Sequence, residues 1–235
     1  MVYFRFPRTP HLAWLGPGEP RRDKVLSPLE AQVLLSHQVI VEEKVDGANL
    51  GFSIDEAGDL RAQNRGAFLL PENSHPQFKP LFRWMAQRRP ALVKALAPDL
   101  MLFGEWCYAV HAVQYTALPD WFLAFDVYDR AAGKFWSAAR RDDLVRRIGV
   151  SQVPEIAAGR FDFTALKAFL GPSKLTTGPA EGIYVRYDRG DHLVARAKLV
   201  RPEFVQGIGT HWSRQQIRTN SLESDTAAPG RWNMP

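Results

Sequence analysis

The stretch that decides the fold is VEEKVDGANLGFS, residues 41–53. Its apolar residues are typical of one half-buried strand that runs into another, and Asp-Gly between two strands is a common turn. A turn explains Asp46-Gly47, but it does not explain a lysine at the end of the first strand. Lys44 is therefore a candidate nucleophile, and the rest of the chain must support or weaken that hypothesis.

The bulk composition predicts an ordinary folded protein. The chain has 235 residues, 46% of them hydrophobic, which fits one domain or one domain with a small appendage. No apolar run approaches the ~18 residues of a membrane span, and the N-terminus lacks an apolar signal core. We therefore expect no membrane association and a cytoplasmic location.

The single cysteine and the positive net charge bear on which kinds of site and partner the protein can have. One thiol, Cys107, excludes an internal disulfide and a cysteine-rich metal cage, and it fits a reducing compartment. Cys107 as a nucleophile is a weak alternative, because its neighbours are apolar and aromatic. The net charge of +5 suits a polyanionic partner such as nucleic acid, although many basic proteins bind none.

The pattern of elements predicts an α+β fold with antiparallel strand pairs. Ser27-Pro28-Leu29-Glu30 is typical of a capped helix start, and Ser137 is suited to cap a second, arginine-rich helix. Strands are expected over 39–41, 50–54, 60–63, 101–106, 121–128, 183–187 and 193–199, and helices from 28 to about 37, over 78–96 with an interruption at Pro90, and over 138–148 and 163–170.

Charged residues break the strand pattern at four places, always where a strand meets a loop. They occur in Glu43-Lys44-Val45-Asp46-Gly47 with Asn49, in Gln63-Asn64-Arg65-Gly66, in Phe103-Gly104-Glu105-Trp106, and in the hairpin with Glu181-Gly182 and Arg196-Ala197-Lys198. Each signal alone is weak, since a short motif arises by chance and single acids are usually on the surface. Together they favour phosphate chemistry. Alternation puts Arg196 and Lys198 on one face, which requires a buried anion or open solvent.

In order, the segments EKVDG, QNRG, FGEW, FLAFDVYD, EGIYVR and ARAKLV resemble the motifs of the covalent nucleotidyltransferases, which include DNA ligases, RNA ligases and mRNA capping enzymes. The resemblance covers about residues 42–200. EEKVDGAN, FGEWCYAVHAVQYTALPDWF and KLVRPEFVQGIGTHW are most similar to RNA ligases of the phage RNA ligase 2 type and to bacterial RNA-ligase domain proteins. This resemblance implies a nucleotidyltransferase (ATP-grasp-like ligase) fold of antiparallel sheets flanked by helices.

The resemblance also implies an activity, namely ATP-dependent RNA ligation through a covalent lysyl-AMP and an adenylylated 5′-end, with Mg²⁺ or Mn²⁺ and a role in RNA repair. A lysine amine is mostly protonated at neutral pH, so the pKa of Lys44 should be lowered by desolvation, by Arg196 and Lys198, or by a metal ion. Glu43 and Asp46 should point away from the amine, since they would oppose this change.

Further roles follow for individual residues. The charges of Arg65, Arg196 and Lys198 suit the ATP phosphates, and a carboxylate at Glu181 suits Mg²⁺. The resemblance assigns Glu43 to the adenine side, Asn49 to the phosphates, Glu105 to the ribose hydroxyls and Phe125 to stacking on adenine. For Phe125, simple core packing is the alternative. The helix with Arg140, Arg141, Arg146 and Arg147 would hold a nucleic-acid backbone or form a solvated face.

The chain departs from the family pattern at two points. Arg196 stands where the family usually has a lysine, so the role of this position is open. About 35 residues follow Lys198, too few for an oligonucleotide-binding barrel. We expect an adenylyltransferase domain over 1–220, a flexible tail over 221–235, no C-terminal oligonucleotide-binding (OB) domain, and a protein partner as one source of extra grip on nucleic acid. A DNA ligase, a guanylyltransferase or a non-catalytic nucleic-acid-binding relative remain alternatives.

Overall fold

The computed structural model describes residues 3–20, 24–206 and 217–223. Ten strands and five α-helices alternate along this part of the chain. The strands are β1 (Val39–Lys44), β2 (Ala48–Ile54), β3 (Leu60–Gln63), β4 (Leu100–Trp106), β5 (Phe122–Asp129), β6 (Lys134–Phe135), β7 (Ser151–Gln152), β8 (Glu155–Gly159), β9 (Gly182–Arg189) and β10 (His192–Val200). The helices are α1 (Pro28–Leu35), α2 (Lys79–Leu96), α3 (Ala138–Arg147), α4 (Phe163–Ala168) and α5 (Pro202–Gln206).

The strands form two sheets. A four-stranded sheet has the order β10-β9-β1-β8, and a six-stranded sheet has the order β3-β2-β4-β5-β6 with β7 beside β5. All pairs are antiparallel except β5 with β7. The predicted α+β fold of antiparallel sheets flanked by helices is therefore confirmed.

The stretch that opened the sequence analysis joins the two sheets instead of forming a hairpin. β1 belongs to the four-stranded sheet and β2 to the six-stranded sheet, so residues 45–47 carry the chain across. This crossing is tight at Gly47, where a Cβ atom would lie 2.6 Å from the Trp106 carbonyl oxygen. Only glycine fits that approach, so Asp46-Gly47 reflects a close contact between strands.

Two apolar cores hold helices against the sheets. The larger core packs α2 and α3 on the six-stranded sheet through residues such as Leu81, Trp84 and Leu144. The smaller core packs α1 and α4 on the four-stranded sheet through Leu34 and Leu166. Within the described residues, no helix has both the length and the hydropathy to cross a membrane.

The two predicted helix caps are present. The Ser27 hydroxyl accepts from the Glu30 amide at 3.3 Å, and the Glu30 carboxylate accepts from the Ser27 amide at 2.7 Å. Ser137 likewise accepts from the Arg140 amide at 3.4 Å. These local signals predict well because a cap satisfies backbone groups within three residues of itself.

The predicted interruption at Pro90 is wrong, because α2 continues through it to Leu96. Leu81 and Trp84 before the proline, and Leu92 and Leu96 after it, are all buried on one core. Burying two leucines is worth ~3–6 kcal/mol, which offsets the ~3 kcal/mol cost of an internal proline.

The sequence analysis missed β6, β7, β8 and α5. The three strands have two to five residues and depend on distant partners, as when β8 pairs with β1 through Gly159 and Val39. It also missed the N-terminal segment 3–12, which spans both sheets. Gln63 at the end of β3 donates to the Phe4 carbonyl at 2.6 Å, and the Lys198 amide on β10 donates to Pro10 at 2.9 Å.

The described C-terminal segment, residues 217–223, packs on the six-stranded side. The buried Asn220 amide donates to the Cys107 carbonyl at 2.7 Å and accepts from the Tyr115 amide at 2.7 Å. Ser221 and Glu223 donate through their backbone amides to the carbonyls of Tyr115 and Leu118. The start of the predicted tail is therefore hydrogen-bonded to the fold, while residues 224–235 lie outside the described residues.

We expect Asn220→Ala to lower the free energy of unfolding by about 1–3 kcal/mol, because it leaves buried backbone groups without partners. Urea unfolding followed by tryptophan fluorescence measures this change. Thr219→Ala, at an exposed neighbouring position, is the control and should have little effect. Equal stability of the two variants would show that the Asn220 contacts contribute nothing.

Candidate active site

Lys44 lies at the junction of the two sheets. It is the last residue of β1 and pairs with Gly182, the first residue of β9, which places Glu181 beside it. The Lys44 Nζ and a Glu181 carboxylate oxygen are 2.6 Å apart, and each side chain is 16% exposed. Gly182 permits this register, since a Cβ atom there would lie 2.3 Å from the Leu199 carbonyl oxygen.

A second carboxylate comes from the other sheet. Glu105 on β4 pairs with Asn49 on β2, immediately after the crossing. A Cβ atom on Gly47 would lie 3.0 Å from the Glu105 Cγ, so the crossing itself contacts this side chain. The structure thus brings together four predicted residues: Lys44, Asn49, Glu105 and Glu181.

The expected lowering of the Lys44 pKa is not what this geometry produces. Burial disfavours the ammonium form, but the charge of the Glu181 carboxylate in contact with it more than offsets this effect, so the pKa of Lys44 is raised. The ion pair with Glu181 therefore holds Lys44 in its charged form.

Glu105 has the opposite balance. Burial raises the pKa of Glu105 from 4.5 to about 8, with Asp46 and Glu181 adding to the rise and Lys44 opposing it. Burial also raises the pKa of Glu181, against the charges of Lys44 and Lys198. The Glu105 carboxyl is thus largely protonated at neutral pH and can both donate and accept a hydrogen bond.

Glu43 and Asp46 point away from the amine, as expected. Asp46 accepts from the backbone amides of Ala112 and Val113 at 2.6 and 2.8 Å. Glu43, 1% exposed, accepts from the Ser173 hydroxyl at 2.5 Å and from the Lys174 amide at 2.8 Å. Both carboxylates therefore tie loops to the Lys44 segment.

Tyr184 is a site residue that the sequence analysis missed. Its ring centroid is 5.8 Å from the Lys44 Nζ. On β9 it lies in register between Glu42 of β1 and Lys198 of β10. The alternation of side chains along a strand could have revealed it. Tyr184 is two residues from Gly182 and so lies on the same face of the sheet.

Arg65 contacts the N-terminal segment, and no contact within the described residues links it to Lys44. Arg65 follows β3 and donates to the Pro7 carbonyl at 3.2 Å. Its Nε is buried and has no hydrogen-bond partner among the described residues. A buried guanidinium nitrogen in this state is suited to an anionic ligand oxygen.

Arg196 forms an ion pair with the buried Asp126. The two cations on one face of β10 were expected to need a buried anion or open solvent, and for Arg196 the anion is Asp126. The Arg196 guanidinium also lies 4.6 Å from the Phe6 ring. Phe125 packs edge-on against the same ring at 5.2 Å. Phe125 and Arg196 also line a small cavity with Phe6, Thr9, Glu42, Asp126, Tyr184 and Arg186. Phe125 therefore packs against Phe6 and also faces this cavity.

A network of buried charges joins the sheets behind this cavity. Arg186 on β9 lies 3.0 Å from Asp126 on β5, and Arg141 on α3 lies 2.7 Å from Glu42 on β1. Arg141 is 1% exposed, so the prediction that all four arginines of α3 share one nucleic-acid or solvated face is wrong for Arg141. Breaking such a pair is costly, since it leaves an uncompensated buried charge.

Residues 37–200 match the RNA ligase family. The chain belongs to the RNA ligase family. The match spans the segments predicted to carry phosphate chemistry, from β1 to the end of β10. No curated protein matches the chain.

Solved structures of Naegleria gruberi RNA ligase share this fold. The structure with PPi gives a TM-score of 0.58 at 18% identity and covers 88% of this chain and 64% of that one. Two mutants with ATP and Mn give TM-scores of 0.59 and 0.57 at 18% and 21% identity, covering 86% and 75% of this chain. In the same order, the chain spans 57% and 52% of the length of those two mutants. At these identities the likeness shows the fold.

We expect Glu105→Gln to change how stability depends on pH. The folded-state pKa of Glu105 is raised to about 8, so its contribution to stability is present at low pH and is lost as pH rises through 8. The unaltered protein loses this contribution between pH 5 and 9, and the variant does not. Over that range the free energy of unfolding of the variant should therefore rise by about 1 kcal/mol or more relative to that of the unaltered protein, since one pKa unit corresponds to ~1.4 kcal/mol.

Urea unfolding at several pH values measures this difference, with Glu72→Gln at an exposed position as the control. A difference between Glu105→Gln and the unaltered protein that stays constant across this range would contradict the raised pKa.

Arg196→Ala should destabilise the protein by about 3 kcal/mol, because it removes one partner of the buried Asp126 and its contact with Phe6. Thermal unfolding measures the change. Arg196→Lys, which keeps the charge, should recover part of the loss. A variant that unfolds like the unaltered protein would assign Arg196 no structural role.

Proposed function

We propose that the chain is an ATP-dependent RNA ligase that joins a 5′-phosphate to a 3′-hydroxyl through a covalent lysyl-AMP. The observation that carries this proposal is the half-buried Lys44–Glu181 pair at the sheet junction, within residues that match the RNA ligase family. A lysine held in a fixed position by Glu181, with Glu105 nearby and Lys198 beside Glu181, is suited to attack phosphorus.

In the first step the Lys44 nitrogen attacks the α-phosphorus of ATP. A nitrogen–phosphorus bond forms, the bond to the bridging oxygen breaks, and pyrophosphate leaves. The ammonium must lose a proton to become a nucleophile. The proton passes to solvent once the Glu181 carboxylate, 2.6 Å from Nζ, no longer holds the ammonium.

The next two steps use the same position. The AMP group passes to a 5′-phosphate of RNA, which breaks its bond to Lys44 and restores the amine. A 3′-hydroxyl then attacks that 5′-phosphorus, loses its proton, and releases AMP as the phosphodiester forms. Each displacement gathers negative oxygen at one phosphorus, so one set of cations can serve all three steps.

The proposed nucleotide contacts rest on different kinds of support. The buried, unpartnered Nε of Arg65 supports a phosphate contact, and the charge of Lys198 beside Glu181 supports another. Asn49 is proposed for the phosphates, and Glu105, protonated at neutral pH, for the ribose hydroxyls. Phe125 is proposed to stack on adenine, from the cavity that it lines.

Glu43 and Arg196 are already bonded to other protein groups, so we propose that they position the site and do not bind the nucleotide directly. Glu43 is bound to Ser173 and Lys174, so we propose that it shapes the adenine side by fixing that loop. Arg196 is paired with Asp126, so we propose that it holds Phe6 and the cavity wall in place, with phosphate binding left to Arg65 and Lys198.

We propose Glu181 as the carboxylate that holds Mg²⁺ or Mn²⁺. No group of three or more metal-binding side chains occurs within 3–20, 24–206 and 217–223. That fits Mg²⁺, which commonly binds one or two carboxylates and completes its shell with water and substrate phosphates. The ion would supply positive charge that neutralises the phosphates and favours the neutral form of the Lys44 amine.

We further propose a role in RNA repair at a cytoplasmic location, which fits a single, buried, unpaired cysteine. Residues 1–220 would form the adenylyltransferase domain. A protein partner that contacts the same RNA would add to its grip.

Incubation with Mg²⁺ and α-labelled ATP should transfer label to the protein, and the label should survive denaturation. Lys44→Ala should lose it, while Lys94→Ala, at an exposed lysine of α2, should retain it. Labelling by GTP alone would point to a guanylyltransferase. No label with ATP, GTP or NAD, after removal of any bound AMP, would favour a non-catalytic nucleic-acid-binding relative.

A further inference from the structure

The loop between β4 and β5, residues 107–121, contacts the crossing that follows Lys44. Val45, the first residue of the crossing, is buried in one apolar cluster with Val113 and Tyr115. The carboxylate of Asp46 accepts from two backbone amides of the loop, and the Asp46 amide donates to the Tyr115 hydroxyl. One loop therefore holds the chain directly after the candidate nucleophile.

The Asp46 amide lies at a point where neither sheet supplies a partner. The pairing of β1 with β9 ends at Lys44 and Gly182, and β2 begins at Ala48. A backbone N–H group that leaves a sheet in a partly buried place needs another acceptor. Here the acceptor is the Tyr115 hydroxyl, at 2.8 Å and 69 residues along the chain. This hydroxyl thus takes the place of a sheet hydrogen bond.

The burial of Tyr115 shows that its hydroxyl does more than fill space. The side chain is 0% exposed and lies among Val45, Leu118 and Leu123. Burying a hydroxyl costs free energy unless the group is hydrogen-bonded, and a phenylalanine ring would fill the same space without that cost. The contact that offsets the cost is the one with the Asp46 amide.

His111 extends the grip of the loop to Gly47. Its ring forms a hydrogen bond with the Gly47 backbone, and its Nε2 lies 3.0 Å from the side-chain oxygen of Gln77. Gln77 is buried, and its carbonyl accepts from the Trp106 indole at 2.8 Å. Both residues of the Asp-Gly pair are therefore held by groups of this loop.

The C-terminal segment 217–223 sets the position of Tyr115. The Tyr115 amide donates to the Asn220 side-chain oxygen at 2.7 Å, and its carbonyl accepts from the Ser221 amide at 3.0 Å. The Asn220 side chain also donates to the carbonyls of Cys107 and Ala109. The buried hydroxyl is thus aimed at Asp46 by backbone contacts on both sides of the ring.

Lys44 is held on its other side as well, since Glu43 accepts from Ser173 and Lys174. The backbone around the nucleophile is therefore fixed from two loops, while its side chain contacts Glu181. This matters for the proposed attack, because reacting atoms must lie ~3–3.5 Å apart and a displacement of ~1 Å can slow a reaction ~100-fold.

We propose that Tyr115 is a positioning residue for Lys44, and that its buried hydroxyl fixes the crossing so that the amine meets the α-phosphorus of ATP. Tyr115 acts through the Asp46 backbone, and segment 217–223 takes part by holding Tyr115. The inference rests on the proposed function, because the step that it serves is the attack by Lys44.

Single-turnover transfer of label from α-labelled ATP to the protein, measured over a series of ATP concentrations, tests this role. It gives a maximum rate and a half-saturating ATP concentration. Tyr115→Phe removes one oxygen atom and keeps the ring. The maximum rate should fall about ten-fold or more, with half-saturation within about two-fold, because positioning affects the attack more than nucleotide binding.

Tyr108→Phe is the matched control, since it makes the same change in the same loop at a partly exposed residue. Equal maximum rates for the two variants would contradict the inference. A loss confined to half-saturation would assign Tyr115 to nucleotide binding instead. A loss that matches the unfolded fraction, followed by circular dichroism, would leave Tyr115 with a purely structural role and would also overturn the inference.

Amide hydrogen exchange followed by NMR tests the contact without any activity. In the unaltered protein the Asp46 amide should exchange at least about ten-fold more slowly than the amide of the exposed Thr177, and Tyr115→Phe should remove this protection. An Asp46 amide that exchanges as fast as that of Thr177 overturns the inference even if Tyr115→Phe does not fold.

The two proposals fail in different ways. If the unaltered protein takes up no label, the proposed function fails, and a protected Asp46 amide would then make Tyr115 a structural contact only. If the unaltered protein is labelled and Tyr115→Phe is labelled at the same rate, the positioning role of Tyr115 fails alone.

Discussion

The close passage of Gly47 beneath the Trp106 carbonyl is the constraint on which the rest of the structure depends. The chain has three residues in which to leave one sheet and join the other. That passage puts Lys44, which is paired with Gly182, beside Glu181, and puts Asn49 and Glu105 on the adjoining strands of the second sheet. Glycine at 47 and at 182 therefore lets neighbouring backbones approach closely. This close approach brings the charged side chains of the candidate site together.

The protonation states of the charged groups at the sheet junction depend on burial as much as on ion pairing. Lys44 stays charged because Glu181 is in contact with it, while Glu105 is largely protonated because burial outweighs the attraction of the same lysine. Two carboxyl groups near one amine thus have different protonation states, and perturbed pKa values of this kind cluster at functional sites. A neutral Lys44 amine, which the proposed attack on phosphorus needs, therefore requires a change in what Glu181 contacts.

Behind the site, ionic contacts hold the two sheets in a fixed relation. Glu42 and Arg186 come from the four-stranded sheet, and Asp126 and Arg141 come from the side of the six-stranded sheet and α3. The N-terminal segment accepts hydrogen bonds from both sheets through the backbone carbonyls of Phe4 and Pro10. The cleft between the sheets is therefore lined by groups whose positions are set from several directions, as a site for a charged ligand requires.

The sequence by itself determined the helix caps, most strands and two of the residues near Lys44, Glu105 and Glu181, because these depend on neighbours within a few residues or on motifs with a fixed order. Only the tertiary structure decided that Asp46-Gly47 crosses between sheets, that Arg196 pairs with Asp126, that Arg141 is buried, and that Tyr184 lies by the amine. The physical reason is the same in each case. A side chain's charge state and role depend on which distant groups share its buried environment, and such partners, here 70 residues apart for Arg196 and Asp126, leave no local signal.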